Sequence, residues 1–199
     1  MKILVVSEGS HELGDDHLQG ALVALSARLL RRSTTFVREK VSSRRVRVHI
    51  QPGKGGGYEK RALGWIRLAE REGYDALILV IDQDGQRVRQ QEFDRAQHDS
   101  RLLFPRALGV AIKTFDAWML ADERALSTAL RTPIATQLAP ESVADPKKTC
   151  EDLRNATGSR LGLTEMYSEI ASITDVEKLA SRCPNGFAPF ARRVRSLAD

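Results

Sequence analysis

Runs of apolar residues mark the strands expected in the first 115 residues of the chain. Residues 2–7 and 76–81 are almost entirely apolar, which is typical of strands buried on both faces of a sheet. Residues 106–114 indicate a further strand. Residues 44–50 alternate strictly between apolar and polar, and this alternation predicts a strand with one polar face. We therefore expect about four strands.

Stretches with helical spacing separate these runs. Apolar residues recur at helical spacing from Leu18 to Leu29 and from Tyr58 to Ala69, and a polar helix is expected from about residue 87 to residue 100. Strands that alternate with helices of this length predict a parallel sheet with helices on both faces. The expected fold is therefore α/β and Rossmann-like, with a mostly parallel sheet of about four strands.

After Phe115 the pattern is wholly helical. Asp145-Pro146 predicts a helix start, with aspartate as the cap and proline in the first position. The expected organisation is an α/β domain over residues 1–115 and a helical C-terminal region over residues 116–199. We expect this region to be packed on the domain as one compact unit.

Composition narrows the class of protein. The chain has 42% hydrophobic and 29% charged residues, as ordinary globular proteins do. No apolar run approaches the roughly 20 residues that a membrane span needs, so no membrane partner is expected. The first residues lack the pattern of a signal peptide. Cys150 and Cys183 lie too far apart for a metal knuckle or a redox pair. A cytoplasmic location with reduced thiols is the expectation.

Positive charge is concentrated in one part of the chain. The net charge is +5, but eleven Lys or Arg residues stand against two acids between Arg28 and Arg61. Such a block can bind a polyanion by releasing its counterions. It is equally consistent with a solvated face or with an edge strand protected against aggregation. On the first interpretation the nucleic-acid contacts include Arg44, Arg45, Arg47 and Lys54.

Three carboxylates follow the two most apolar strands. Glu8 comes just after the first strand, and Asp82 and Asp84 come just after residues 76–81. In parallel α/β sheets, ligands bind at the carboxyl ends of the strands. Alternate residues of an extended segment point the same way, so Asp82 and Asp84 should face one ligand. Hard oxygen donors of this kind suit Mg²⁺ or Mn²⁺. The alternative is that these acids cap helices or form turns.

The residues around these acids resemble a known domain. Val6-Ser7-Glu8-Gly9 and Ile81-Asp82-Gln83-Asp84-Gly85 are similar to the two motifs of the TOPRIM domain of topoisomerases, bacterial primases and OLD-type nucleases. The resemblance implies a Rossmann-like TOPRIM fold whose glutamate and Asp-x-Asp pair handle a metal ion and phosphodiester chemistry. Glu8 and Glu12 also resemble the paired glutamates of OLD nucleases, which implies that Glu12 is a further metal ligand.

A second resemblance covers nearly the whole chain. Residues 115–122 and 145–148 and a helical tail with Phe187 and Phe190 are similar to the DUF4276 group, which is TOPRIM-like. Its members often accompany ATPases in phage-defence gene clusters, which implies an ATPase as a partner. The glutamate of that group is Asp116 here, either a metal ligand or the cap of the helix that carries Trp118. Lys147 resembles the lysine that OLD-type sites use against a phosphate.

These expectations combine into a metal-dependent phosphodiesterase, in particular a nuclease. Glu8, Asp82 and Asp84 are the expected catalytic carboxylates, and Lys147 is the expected phosphate-stabilising residue. One alternative is a non-catalytic subunit that binds nucleic acid or regulates a partner ATPase. Another is phosphoryl or nucleotidyl transfer to a small molecule, because a metal site alone does not determine the acceptor.

Overall fold

The chain folds around a four-stranded, all-parallel sheet. The computed structural model describes residues 1–51 and 55–198. The strands lie in the order β2-β1-β3-β4, so the expected α/β class is confirmed. Their bounds are β1 Lys2–Ser7, β2 Thr35–Lys40, β3 Ala76–Asp82 and β4 Arg106–Ala111.

The central strands are buried on both faces, as their continuous apolar runs predict. In β1, Ile3 and Val5 belong to one hydrophobic core, whereas Leu4 and Val6 belong to the other. Successive side chains of a strand point to opposite faces, so a strand between two helical layers must be apolar at every position. This requirement explains why β1 and β3 can be recognised from the sequence.

Helices cover both faces of the sheet. The larger core receives side chains from helices on one face: α1 Ser10–Leu13, α2 Ala21–Leu30, α5 Asp116–Met119, α6 Glu123–Leu130, α7 Pro146–Ala156, α8 Leu163–Ile173, α9 Val176–Arg182 and α10 Phe187–Arg195. The other face carries α3 Gly57–Arg71, α4 Val88–Gln97 and a 3₁₀ helix, Arg44–His49. A short 3₁₀ turn, Pro140–Ser142, precedes α7.

The C-terminal helices share a core with the sheet. The Trp118 ring stacks on Phe190 with 5.5 Å between ring centroids and meets Phe187 edge-on at 5.1 Å. A Cβ atom at Gly109 of β4 would lie 2.8 Å from Phe190 Cδ2. The glycine therefore lets α10 lie directly against the strand, and the aromatic cluster joins residues after 116 to the sheet.

The second strand is not the segment that the alternation predicts. Thr35–Lys40 pairs with β1 in parallel, whereas Arg44–His49 forms a 3₁₀ helix, so the predicted strand over 44–50 is wrong. Within that helix Val46 is buried, but Val48 is 84% exposed, which no half-buried strand would show. The true strand lies at the edge of the sheet and is only partly buried, so it lacks the apolar run of its neighbours.

Other boundaries follow the sequence more closely. The Asp145 side chain accepts a hydrogen bond from the Lys148 N–H at 2.9 Å and caps α7, as Asp145-Pro146 predicts. Pro146 takes the first helical position, where its missing N–H has no partner to lose. No helix among the described residues is long and apolar enough to cross a membrane.

Candidate functional site

The strand order creates a crevice at the carboxyl ends of β1 and β3. The chain leaves β1 for β2 on one side and continues from β3 to β4 on the other. Such a reversal point is where open α/β sheets bind ligands. Glu8 follows β1, and Asp82 is the last residue of β3. The Asp82 N–H donates a hydrogen bond to Glu8 Oε2 at 3.3 Å, so the first two predicted residues meet in this crevice.

Helix α1 adds a buried carboxylate to the crevice. Glu12 is only 8% exposed, and its buried Oε2 atom has no hydrogen-bond partner among the described residues. Gly9 makes this position possible, because a Cβ atom there would lie 2.2 Å from Glu12 Oε2. A buried oxygen without a donor is costly unless a cation or water satisfies it. The first turn after β1 therefore directs a second glutamate toward the sheet edge.

Asp116 approaches the same crevice from the start of α5. Its side chain is 8% exposed, and its Oδ1 atom accepts a hydrogen bond from the Tyr167 hydroxyl. The neighbouring Phe115 N–H donates to Asp82 Oδ1 at 2.7 Å. The turn after β4 thus holds the Asp82 carboxylate through its backbone and contributes Asp116 beside it.

Asp84 does not continue the strand, contrary to the assumption of an extended Asp-x-Asp segment. Strand β3 ends at Asp82, and Asp84 has a φ of +47° in the left-handed region. Its carboxylate forms an ion pair of 2.7 Å with Arg89. Arg89 also donates to the Asp82 carbonyl oxygen at 2.6 Å. Asp84 therefore lies at the exposed rim of the crevice with its charge balanced by an arginine.

The predicted acids and the predicted lysine line one cavity of about 450 Å³. Its volume is in the range of small-molecule binding sites. Lys147 lies at the start of α7 and adds a positive charge to this otherwise acidic wall. All six residues expected at the site line this cavity: Glu8, Glu12, Asp82, Asp84, Asp116 and Lys147.

Burial and mutual repulsion raise the pKa values of two carboxylates in the cavity, Asp82 and Glu12. Burial is the largest cause and raises the pKa of Asp82 to about 8, and repulsion from Glu12, Glu8 and Asp116 adds to it. Burial likewise raises the pKa of Glu12 to about 7, with repulsion from Asp116 and Glu8. A nearby positive charge would favour the ionised forms of both groups.

The donor set suits a hard divalent cation. Carboxylate oxygens are the ligands that Mg²⁺ and Mn²⁺ prefer. Glu12 Oε2 and Thr114 Oγ1 are buried in residues that line the cavity, and neither has a hydrogen-bond partner in residues 1–51 and 55–198. Within residues 1–51 and 55–198, however, no three Asp, Glu, His or Cys side chains already stand together as a metal-binding group. The side chains line a cavity and would have to converge further to surround an ion.

Of the predicted nucleic-acid contacts, Arg44, Arg45 and Arg47 do not line this cavity. Arg45 forms ion pairs with Glu39 at 2.7 Å and with Glu72 at 2.6 Å. Glu39 lies near the carboxyl end of β2 and Glu72 follows α3, so the Arg45 guanidinium is held between these two elements. Arg44 and Arg47 are exposed on the same 3₁₀ helix, and Lys54 lies outside the described residues.

Two residues of α8 form hydrogen bonds with side chains that line the cavity, and no pattern in the sequence predicts these bonds. Tyr167 bonds Asp116, and a hydrogen bond of 2.7 Å joins Thr164 Oγ1 to His11 Nδ1. His11 lines the cavity beside Glu12. The bonded partners are 51 and 153 positions apart in the chain, so no local pattern could reveal them. Helix α8 therefore belongs to the surroundings of the site.

Comparison with protein-family models, with curated proteins and with solved structures finds no match for this chain.

Proposed function

We propose that the chain is a metal-dependent phosphodiesterase that cleaves nucleic acid. The observation that carries this proposal is the convergence of five carboxylates and one lysine, from separate elements, on a single cavity at the reversal point of the sheet. A purely structural cluster of acids would be expected to find cationic partners, and a buried carboxylate without one is unfavourable. Glu12 and Asp82 instead keep raised pKa values among other acids.

In this proposal Glu8, Asp82 and Asp84 hold a divalent ion, Mg²⁺ or Mn²⁺, with Glu12 and Asp116 as further ligands. An ion bound there would supply an activated water and neutralise charge that develops on the phosphate. Lys147, which also lines the cavity, would contact a non-bridging phosphate oxygen and stabilise the same charge. Arg89 holds the Asp84 carboxylate and the Asp82 carbonyl, which keeps the loop after β3 in place.

Exposed lysines after the edge strands and at the cavity support a polymeric substrate. Lys40 ends β2, Lys113 follows β4 and Lys147 lines the cavity, and all three are exposed. In the part of the chain that the structure describes, none of them forms an ion pair with a carboxylate. Adjacent strands are about 4.8 Å apart, so the edge strands β2 and β4 are about 14 Å apart. A stacked nucleic-acid strand covers this distance with about four phosphates, so lysines at both edges could contact one strand.

The cellular setting is part of the proposal. Cys150 and Cys183 are free thiols, which fits a reducing compartment such as the cytoplasm. We propose an ATPase as the protein partner, and this proposal rests on the DUF4276 resemblance alone. Activity should therefore be measured both with and without such a partner.

The direct test is cleavage of plasmid DNA and of labelled single-stranded DNA and RNA with Mg²⁺ or Mn²⁺. We expect wild-type protein to cleave at least one substrate and Asp82→Asn to lose the activity. Lys147→Gln should lower the rate on the order of 10²-fold, as loss of one charge-stabilising group does. Lys148→Gln is the matched control, because Lys148 is directed to Asp152 at 3.1 Å, and it should leave the rate unchanged.

Other outcomes identify the alternatives. Salt-dependent binding of nucleic acid without cleavage, even with the ATPase partner present, would replace the nuclease by a binding or regulatory subunit. Modified nucleotides detected by mass spectrometry, in the absence of strand cleavage, would indicate phosphoryl or nucleotidyl transfer. Cleavage that survives in Asp82→Asn and Glu8→Gln would contradict the assigned carboxylates.

A further inference from the structure

Helix α8 places a buried tyrosine directly behind the carboxylate cavity. Tyr167 is 1% exposed, and its hydroxyl donates a hydrogen bond to Asp116 Oδ1. Burial raises the pKa of the Tyr167 phenol, so the hydroxyl stays protonated and remains a donor. Asp116 thus has one carboxylate oxygen held by a neutral donor from a helix that is distant in sequence.

The second oxygen of Asp116 has no hydrogen-bond donor in the part of the chain that the structure describes. Oδ2 accepts no hydrogen bond from the described residues, and Asp116 lines the cavity. Metal ligands are commonly oriented by outer residues that bond one of their atoms, as the Tyr167 hydroxyl bonds one oxygen of Asp116 here. The pairing therefore does more than satisfy a buried hydroxyl, because it determines which oxygen is available.

Neighbouring contacts hold Asp116 and the α1 turn from the same side. The Cys150 thiol of α7 donates a weak hydrogen bond to the Asp116 carbonyl oxygen at 3.7 Å. Thr164, one turn before Tyr167, bonds His11 at 2.7 Å, and the His11 ring meets the Tyr167 ring edge-on at 5.5 Å between centroids. The tyrosine is thus fixed between the two segments that supply Glu12 and Asp116.

We infer that Tyr167 is a positioning residue that orients Asp116 so that its Oδ2 atom binds the divalent cation. This inference rests on the proposed function, because it assumes a cation among the carboxylates. It assigns to α8, which no sequence pattern connects with the site, a part in metal binding. The Tyr167 ring itself need not touch metal or substrate.

The test is Mn²⁺ binding to the full chain, measured by electron paramagnetic resonance without any substrate. Tyr167→Phe removes the hydroxyl and keeps the ring, and we expect the dissociation constant to rise about 10- to 100-fold. Tyr74→Phe is the matched control, because the Tyr74 ring lies under the Lys2 ammonium near the start of β1, away from the cavity. In an Asp116→Asn background the Tyr167→Phe change should have little additional effect on affinity.

Thermal unfolding in EDTA separates positioning from a structural role. If Tyr167→Phe lowers the melting temperature but binds Mn²⁺ as wild type does, the tyrosine only stabilises the fold and the inference is wrong. If wild-type protein binds no Mn²⁺, the proposed metal site itself is refuted, and the role of Tyr167 is refuted with it. Weak Mn²⁺ binding by Tyr167→Phe alone, with normal binding by Tyr74→Phe, supports the inference.

A measurement on the wild-type chain avoids the risk that Tyr167→Phe does not fold. Tyrosines labelled with ¹³C at the ζ carbon give one signal each, and Tyr58→Phe and Tyr74→Phe assign Tyr167 by elimination. Binding of diamagnetic Mg²⁺ withdraws electron density from Asp116, so the Tyr167 signal should shift while the Tyr74 signal stays. An unmoved Tyr167 signal at saturating Mg²⁺ would overturn the inference.

Discussion

Replacing Asp82 by asparagine should stabilise the metal-free chain, and the gain should grow with pH. The carboxylate is held among other acids, and its pKa is raised from 3.8 to about 8 by burial and then by repulsion from Glu12, Glu8 and Asp116. Asparagine has the same shape and keeps an oxygen for the Phe115 N–H, which lies 2.7 Å from Asp82 Oδ1. The change therefore removes the charge and keeps the hydrogen bond.

The direction of this change in the free energy of unfolding follows from the protonation of Asp82 in the folded and unfolded chains. Well below pH 4 Asp82 is protonated both folded and unfolded, so its ionisation does not affect stability. As pH rises from about 4 to about 8, the unfolded chain loses this proton while the folded chain keeps it, and the free energy of unfolding falls. The asparagine of the variant has no such proton to lose, so the difference between variant and wild type is small at pH 4 and largest above pH 8.

The folded and unfolded pKa values of Asp82 set an upper limit on the stability gained by Asp82→Asn. A pKa of about 8 in the folded chain against 3.8 in the unfolded chain corresponds to at most about 6 kcal/mol. Part of this comes from repulsion that the neighbouring carboxylates share, and it falls when any of them takes up a proton. A measured gain on the order of 3 kcal/mol at pH 8 is therefore expected, which is large for a single substitution.

Urea unfolding in EDTA at pH 5 and pH 8 measures the gain. Asp99→Asn is the control of opposite sign, because Arg101 lowers the pKa of Asp99 to about 2 and the ionised form favours folding. That variant should lose stability by a similar amount at both pH values, since both lie above its unfolded pKa. A gain for Asp82→Asn that is equal at pH 5 and pH 8, or a loss at pH 8, would refute the reasoning about a strained carboxylate.

Three further outcomes are expected. Mg²⁺ at 100 times its dissociation constant should stabilise wild-type protein by about 2.7 kcal/mol, or roughly 5–10 °C in thermal unfolding, and an unchanged melting temperature would count against a metal site. Gly9→Ala should weaken Mn²⁺ binding at least about 10-fold in a titration, since its Cβ would displace Glu12, whereas Gly57→Ala, with free space at its Cβ, should bind normally. Arg45→Gln should leave the affinity for single-stranded DNA in a filter-binding assay unchanged, because the Arg45 guanidinium is paired with Glu39 and Glu72. A marked loss of affinity would show that the 3₁₀ helix does contact nucleic acid.

The amino-acid sequence by itself determined the class of fold and the position of two site residues. Strands β1 and β3 are central in a sheet covered on both faces, so both must be continuous apolar runs. A parallel sheet brings the carboxyl ends of such strands together. Glu8 and Asp82 could therefore be placed at one edge from their positions after these runs, although the sequence cannot show that an ion binds there.

Edge elements and turns were decided by tertiary contacts. Strand β2 has no apolar run because it is half-exposed, and the alternating segment after it folds as a 3₁₀ helix that packs on α3 through Val46. Asp84 leaves the strand direction because its backbone is left-handed and Arg89 binds its carboxylate. Neither outcome follows from residue spacing, since both depend on neighbours in three dimensions.

Only the tertiary structure decided which side chains surround the acids. The hydroxyl of Tyr167 reaches Asp116 across 51 positions, and the side chain of Thr164 reaches His11 across 153. Local sequence patterns report burial and helix or strand period, which are properties of short segments. Contacts between distant segments depend on how whole helices pack against the sheet, and the same packing buries Asp82 and Glu12 and so raises their pKa values.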